Sequence, residues 1–392
     1  MSRSLKSSQV SVVRYQDKKN LFVWAEVDLN NLQHNYRILR ALANRSGADI
    51  LAIVKAEAYG HGMVPVALVL HKEGARFFGV ATLEEALKLH QALPGVKILV
   101  LGSFHGSQVA QYVKANIRPT ISSLEDLRVF EKGLRGTKRV PVHVKVDTGM
   151  GRLGVWHEDA LHLFKALRDF KRVELEGLYT HFSSADEKKP DFTKLQMRRF
   201  EEVLKHLPAL GLRPRYVHVA NSLGMTRFKQ TPSNLVRPGI LLYGLNPLKG
   251  GALPKGLKPV MSLKARISFL KEVGAGQPLS YGRTYETKKA TRIATVPVGY
   301  SHGYRVGLSN KAFVVVKGLR CPVVGRVTMD QTLVDVGRVP GVRRWDVVTL
   351  LGRDRKSRVT AEELAKALDT IPYEIVCGIH SRIPRVYKGL KR

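Results

Sequence analysis

Acidic side chains are scarce: 32 Asp and Glu stand against 65 Lys and Arg in 392 residues, a net charge of +33. Such a surface suits a polyanionic partner, but the charge is not gathered into a binding arm. Residues 1–240 carry an excess of 15 positive charges and residues 241–392 an excess of 18, with local runs such as Arg353-Asp354-Arg355-Lys356-Ser357-Arg358. Zinc-finger spacing, an RNA-binding aromatic motif and a basic zipper are all lacking, so no nucleic-acid partner is expected. Cysteine is nearly absent as well. Cys321 and Cys377 lie far apart, which excludes a disulfide framework and a cysteine metal site and fits a reducing cytoplasm. No apolar run approaches the ~20 residues of a membrane span. Met1-Ser2-Arg3-Ser4-Leu5-Lys6 is basic but has no apolar stretch behind it, so residues 1–20 read as a flexible leader, not a secretion signal. Internal repeats and low-complexity segments are missing too.

What is present is ordinary globular composition, 44% hydrophobic and 25% charged, in a chain longer than the roughly 250–300 residues at which one core stops growing. Two domains are therefore expected. After the strand-like Trp24–Asp28, Leu29, Leu32, Tyr36, Leu39 and Leu42 recur at helical spacing. Then β-prone runs alternate with helical stretches: Ile50–Lys55, Phe77–Ala81, Lys97–Gly102, Arg118–Ser122, Val140–Asp147, Leu175–Phe182, Tyr216–Asn221 and Leu235–Gly244. Eight such runs predict an α/β fold, a (β/α)8 TIM barrel over residues 21–250, although a doubly wound sheet shares the alternation. Asn246–Pro259, rich in Gly and Pro, reads as a linker. Short β segments follow, with one helix over Thr360–Leu368 begun by the capping pattern Thr360-Ala361-Glu362-Glu363. Residues 255–392 are thus a C-terminal, mainly β domain.

In a barrel, functional groups collect at the C-terminal ends of the strands. The unusual polar residues fall there: Lys55 ends the first run, His181 the sixth and Asn221-Ser222 the seventh, while Arg237-Pro238-Gly239-Ile240 lies in the eighth. A lysine ending an apolar strand has a desolvated amine, which loses its proton more readily and can form a Schiff base; the alternative is a lysine whose head snorkels to water. Phosphate sites in barrels use the loops after strands seven and eight. Ser222 and the backbone at Gly239-Ile240 are suitable donors there, so a phosphorylated cofactor near Lys55 is expected. Gly149, Gly151 and Gly154 spell a dinucleotide fingerprint with Glu174 about 20 residues on. It follows the fifth run instead of opening the domain, and it carries the bulky Arg152 where backbone must approach pyrophosphate.

Lys55, Tyr59 and the Gly60-His61-Gly62 turn resemble the cofactor-lysine signature of alanine racemases, enzymes that use pyridoxal phosphate. Further motifs follow in that family's order from Trp24 to Tyr387. Lys145-Val146-Asp147-Thr148-Gly149-Met150-Gly151-Arg152 resembles its second signature, which implies that Arg152 bonds the cofactor's phenolic oxygen and that Lys145 is carbamylated. Leu279-Ser280-Tyr281-Gly282-Arg283 is similar to the segment bearing the catalytic tyrosine, here Tyr281, with His181 as its partner. The resemblance further implies that Tyr300, Met329 and Asp330 lie near the substrate carboxylate and that Arg237 faces the cofactor's ring nitrogen. A cation there disfavours ring protonation and weakens the electron sink.

The activity implied is interconversion of L- and D-alanine by two bases on opposite faces of the α-carbon, Lys55 and Tyr281. Tyr281 would come from the partner subunit of a head-to-tail homodimer, in a cytoplasmic enzyme supplying D-alanine for peptidoglycan. Three departures stand out: Glu57 where many relatives have Asn, His302 where many have Asp, and Ser381 where a tyrosine usually contacts the cofactor phosphate. The last implies a wider pocket and tolerance of substrates such as serine. A non-catalytic pyridoxal-phosphate-binding barrel is the rival reading, but such proteins lack the β domain that carries Tyr281 and Met329.

Overall fold

The computed structural model describes residues 18–137, 139–228, 230–248 and 254–389. The leader expected over residues 1–20 lies mostly outside them, as does part of the linker; Lys18–Asn20 form a short 3-10 turn.

Eight parallel strands form the barrel: Asp49–Ile53, Phe77–Val80, Lys97–Val100, Thr120–Ile121, Val140–Asp147, Val173–Tyr179, Tyr216–His218 and Leu235–Val236. Two four-strand runs make up its wall, the first four strands without Thr120–Ile121 but with Leu235–Val236, and the remainder. Single bridges, Leu99 to Arg118 and Asn221 to Arg237, join the two runs at both seams. The strands are apolar along nearly their whole length, with Phe77–Val80 buried throughout, as a sheet covered on both faces requires. The fourth and eighth strands are much shorter than their sequence runs. Pro119 and Pro238 supply no N–H at those points, so the ladder cannot continue.

The helices between strands start where a side chain can take up a free amide. Thr82 accepts from Glu85 N, Ser123 from Asp126 N and Asn221 from Gly224 N. Each such cap is worth about 1 kcal/mol. Asp28 likewise caps the long helix Leu29–Arg45, whose Leu29, Leu32, Tyr36 and Leu39 are buried as their spacing predicted.

Beyond the barrel, a mainly β unit is built on the sheet order Leu319–Pro322, Phe313–Val316, Val347–Asp354, Met261–Arg266, Val23–Asp28, Arg385–Lys388. The first strand of the chain therefore belongs by pairing to the second unit. It runs antiparallel to Met261–Arg266 (Ala25 opposite Leu263) and parallel to Arg385–Lys388 (Ala25 opposite Arg385). Glu26 in this strand is buried against Lys18, Lys264 and Lys388. Burial raises its pKa, but the lysines and the Trp24 indole outweigh that and hold it at about 2. A three-stranded sheet of Phe269–Val273, Thr291–Val296 and Thr332–Asp335 completes the unit, and the helix Ala361–Ala367 starts at Thr360 as its capping pattern predicted.

Candidate active site

The strand expected to end in Lys55 stops at Ile53, and Lys55 opens a turn of unusual hand. Ala56, Glu57, Ala58 and Tyr59 have φ between 52° and 55°, and Gly60 has φ 81°. This is a left-handed helical turn, disfavoured by about 1–2 kcal/mol per L-residue. Bonds from Ala58 N to Val54 O (2.8 Å) and Gly60 N to Ala56 O (2.9 Å) close it. Its reversal carries Lys55 into the barrel mouth and buries Tyr59 between Tyr243 and Tyr373, at ring distances of 5.0 and 5.9 Å.

The mouth holds a cavity of about 810 Å3 lined by Lys55, Tyr59, Lys145, Arg152, His181, Asn221, Ser222, Arg237, Gly239 and Ile240. All the residues that sequence placed on the cofactor thus converge on one space. Tyr373, Cys377 and Ile371 of the second unit wall it on one side. These three were not anticipated, because nothing in an apolar helix start marks which barrel it will cover.

Four cations meet here. Burial, followed by Arg152, lowers the Lys55 pKa. Lys145 is held at about 8 by burial, then by Arg152 and Arg237, against Asp147. Asp147 is itself occupied, accepting from Gly149 N (2.9 Å), Met150 N (2.8 Å) and Arg152 N (3.0 Å). The amides of the glycine-rich string therefore bind their own aspartate and are not presented to a pyrophosphate, which removes the dinucleotide reading. Arg237 is buried and lowered to about 10. Its Nη1 donates to His218 Nδ1 at 2.9 Å, and its Nη2 lies 3.2 Å from His181 Nδ1. Behind it, His218 Nε2 meets His143 Nδ1 at 2.9 Å, and His143 Nε2 stands 3.4 Å from Glu176. With Nδ1 accepting from a guanidinium, the His181 proton sits on Nε2. Burial, then Arg237, keeps this ring neutral.

Such a cavity calls for an anionic guest with an apolar body. The Ser222 hydroxyl accepts from Gly239 N at 2.9 Å. A Cβ on Gly239 would stand 2.4 Å from the Tyr59 hydroxyl, so only glycine leaves that backbone open beside a phenol and a hydroxyl. These groups suit a phosphate, and Lys55 suits an aldehyde. Pyridoxal phosphate fits the residues present.

Tyr281, Tyr300, Met329 and Asp330 do not line this cavity. Tyr281 lies on a 3-10 turn, Tyr281–Arg283, and it is 71% exposed; Tyr300 and Met329 are also exposed. They share one corner of the second unit, where Tyr300 N donates to Thr328 O and Ser301 Oγ to Asp330 at 2.7 Å. His302 Nδ1 and Arg382 complete that corner. Ser381 is exposed and does not line the Lys55 cavity, so the widening expected from it has no counterpart in a single chain; Cys377 and Tyr373 hold that wall. Glu57 accepts from Met63 N (3.0 Å) and pairs with Lys88, bracing the turn. Among the described residues no cluster of His, Cys, Asp and Glu could hold a metal, and no helix is long and apolar enough to cross a membrane.

A barrel whose mouth holds a desolvated lysine, a buried guanidinium and a glycine turn beside two hydroxyls, followed by a β unit, suits a pyridoxal-phosphate barrel enzyme. The model of the alanine racemase N-terminal domain matches residues 27–247, and that of the C-terminal domain residues 260–387. The chain is 43% identical to the alanine racemase of Carboxydothermus hydrogenoformans, covering 93% of this chain and 99% of the relative. To that of Geobacter sulfurreducens it is 45% identical, covering 93% and 96%. The crystal structure of alanine racemase from Streptomyces lavendulae superposes with a TM-score of 0.89 at 35% identity, over 94% of this chain and 97% of that one. The Bacillus anthracis enzyme with bound L-Ala-P gives 0.86 at 36% identity, over 94% and 95%. The chain belongs to the alanine racemase family, whose cofactor is pyridoxal phosphate.

Proposed function

We infer that this chain interconverts L- and D-alanine with pyridoxal phosphate, and we propose that it does so with two bases, Lys55 and the partner's Tyr281. When bound, the cofactor supplies the aldehyde that takes up an amine and the ring that withdraws electrons from the α-carbon. Everything else falls to side chains. Tyr59, Ser222 and the Gly239-Ile240 backbone grip the phosphate, with Asn221 fixing the turn that carries Ser222. Arg237, cationic and buried, faces the ring nitrogen and keeps it unprotonated. Arg152 holds the phenolic oxygen and one end of the substrate carboxylate, and Lys145, carbamylated, steadies Arg152.

Lys55 moves the proton on the D face. Burial, then Arg152, lowers its affinity for a proton, which makes it the better base. Tyr281 serves the L face, with His181 as its neutral partner, while Tyr300, the Met329 backbone and Asp330 close the substrate's carboxylate end. The observation that carries this reading is the separation within one chain. The cavity at Lys55 gathers the side chains proposed for the cofactor but not Tyr281, which is exposed on the other unit. A head-to-tail homodimer brings the two together. We propose residues 21–250 and 255–392 as the two domains, with the strand Val23–Asp28 of the first lent to the sheet of the second, the cytoplasm as the location and peptidoglycan as the destination of the D-alanine.

The deciding experiment is exchange of the α-hydrogen in deuterated water. The wild type should exchange and racemise both alanine enantiomers. Tyr281→Phe should lose at least 100-fold in racemisation while still exchanging the D-enantiomer through Lys55. Equal racemisation by the variant would refute the two-base assignment.

A further inference from the structure

The turn that presents Lys55 reverses the hand of the chain, and this leaves the Ala56 N–H without a backbone acceptor. A backbone donor in that state needs a partner from elsewhere. The acceptor is Glu85, the third residue of the helix Leu83–Ala92: its Oε1 takes the Ala56 N–H at 2.7 Å. The other oxygen takes Ala81 N, at the end of the neighbouring strand, at 2.8 Å. In the usual capping box this glutamate folds back onto its own N-cap amide. Here Thr82 keeps its half, accepting from Glu85 N at 3.3 Å, while the carboxylate bridges two strand ends. One turn along the same helix, Lys88 pairs with Glu57 at the far side of the turn. Helix and turn are thus pinned at two points.

We propose that Glu85 is the positioning residue of Lys55: its carboxylate fixes the first amide of the left-handed turn, one residue past Lys55, and so sets both where the amine sits and the charge it meets there. The proposal rests on Lys55 being the cofactor lysine. The charged and titratable groups around that amine are Arg152 and Lys145 from the fifth strand and its turn, His181 from the sixth strand, Asp186 beyond it, Tyr59, Tyr179, Tyr373 and Cys377 on the cavity wall, and Glu85. Glu85 favours the protonated amine whereas Arg152 opposes it.

Three variants test this in the full-length protein. Glu85→Gln keeps the shape, removes the charge and leaves one acceptor oxygen for the two amides, Glu85→Ala removes both acceptors, and Glu84→Gln removes an exposed charge one residue away. The first readout is the pH dependence of pyridoxal phosphate capture by cofactor-stripped protein, whose inflection follows the free amine of Lys55. Glu85→Gln should move it down, and Glu84→Gln should leave it in place. The second is turnover: Glu85→Ala should lower kcat about tenfold with KM for alanine little changed. An inflection in Glu85→Gln coincident with wild type, or shifted equally in Glu84→Gln, overturns the proposal. Failure of the wild type itself to capture the cofactor would instead remove the assignment of Lys55. Should Glu85→Ala not fold, the isosteric glutamine variant decides.

Discussion

The two lysines of the cavity differ in what surrounds them, and that difference separates their tasks. Lys55 has Glu85 and the open mouth, whereas Lys145 faces Arg152, Arg237 and Lys55 with an aspartate already committed to three amides. An ammonium at Lys145 is electrostatically out of place. Its pKa of about 8 leaves an appreciable fraction of neutral amine at pH 7–8, and it is the neutral amine that adds carbon dioxide. Protein prepared in 13C-bicarbonate should therefore give a carbamate carbon signal that is missing from Lys145→Ala. The signal should fade as pH falls through 8, because protonation removes the nucleophile. Electron density for an unmodified Lys145 in crystals grown well above pH 8 would end that assignment.

At the scale of elements, the left-handed turn is held from the second unit as well. A Cβ at Gly60 would stand 2.3 Å from the Val376 carbonyl, in the helix Pro372–Cys377 that walls the cavity. Gly60→Ala should therefore cost about 3 kcal/mol or more and reduce racemisation by displacing Tyr373. Gly211→Ala is the control, since φ there is also positive, at 72°, but nothing lies within 4 Å. It should cost only about 1 kcal/mol, and thermal melts of the two variants would separate the clash from the backbone strain. The turn also marks where the sequence stops being legible. Periodicity exposed the barrel strands and the Leu29–Arg45 helix, because one residue type per face repeats. Ala56, Glu57 and Ala58 carry no sign of positive φ; they are good right-handed helix formers overridden by tertiary contacts. Glu85 stands at the fourth position of a Thr82-initiated capping pattern, which points to its own N-cap amide and not to a partner 29 residues away. The membership of Val23–Asp28 in the far sheet was hidden too, because its neighbours lie more than 200 residues downstream.

For the whole molecule, the proposed pairing of Lys55 with the partner's Tyr281 would make assembly a condition of activity. Mixing Lys55→Ala with Tyr281→Phe, each inactive alone, should restore roughly a quarter of wild-type activity once subunits exchange, since each mixed dimer retains one intact site. No recovery under conditions of proven exchange would place both bases in one chain. The charge of +33 has a structural use at one point, where Glu26 gathers Lys18, Lys264 and Lys388 and so ties both ends of the described chain to its middle. The turn at Lys55 has another consequence, one of chirality. Four successive residues of the gene-encoded hand adopt there the backbone of their mirror images, and two of them, Ala56 and Ala58, are alanines. A D-residue occupies that region without strain. The segment that aims the base at alanine is thus one in which D-alanine, the product of the reaction, would be the more comfortable building block.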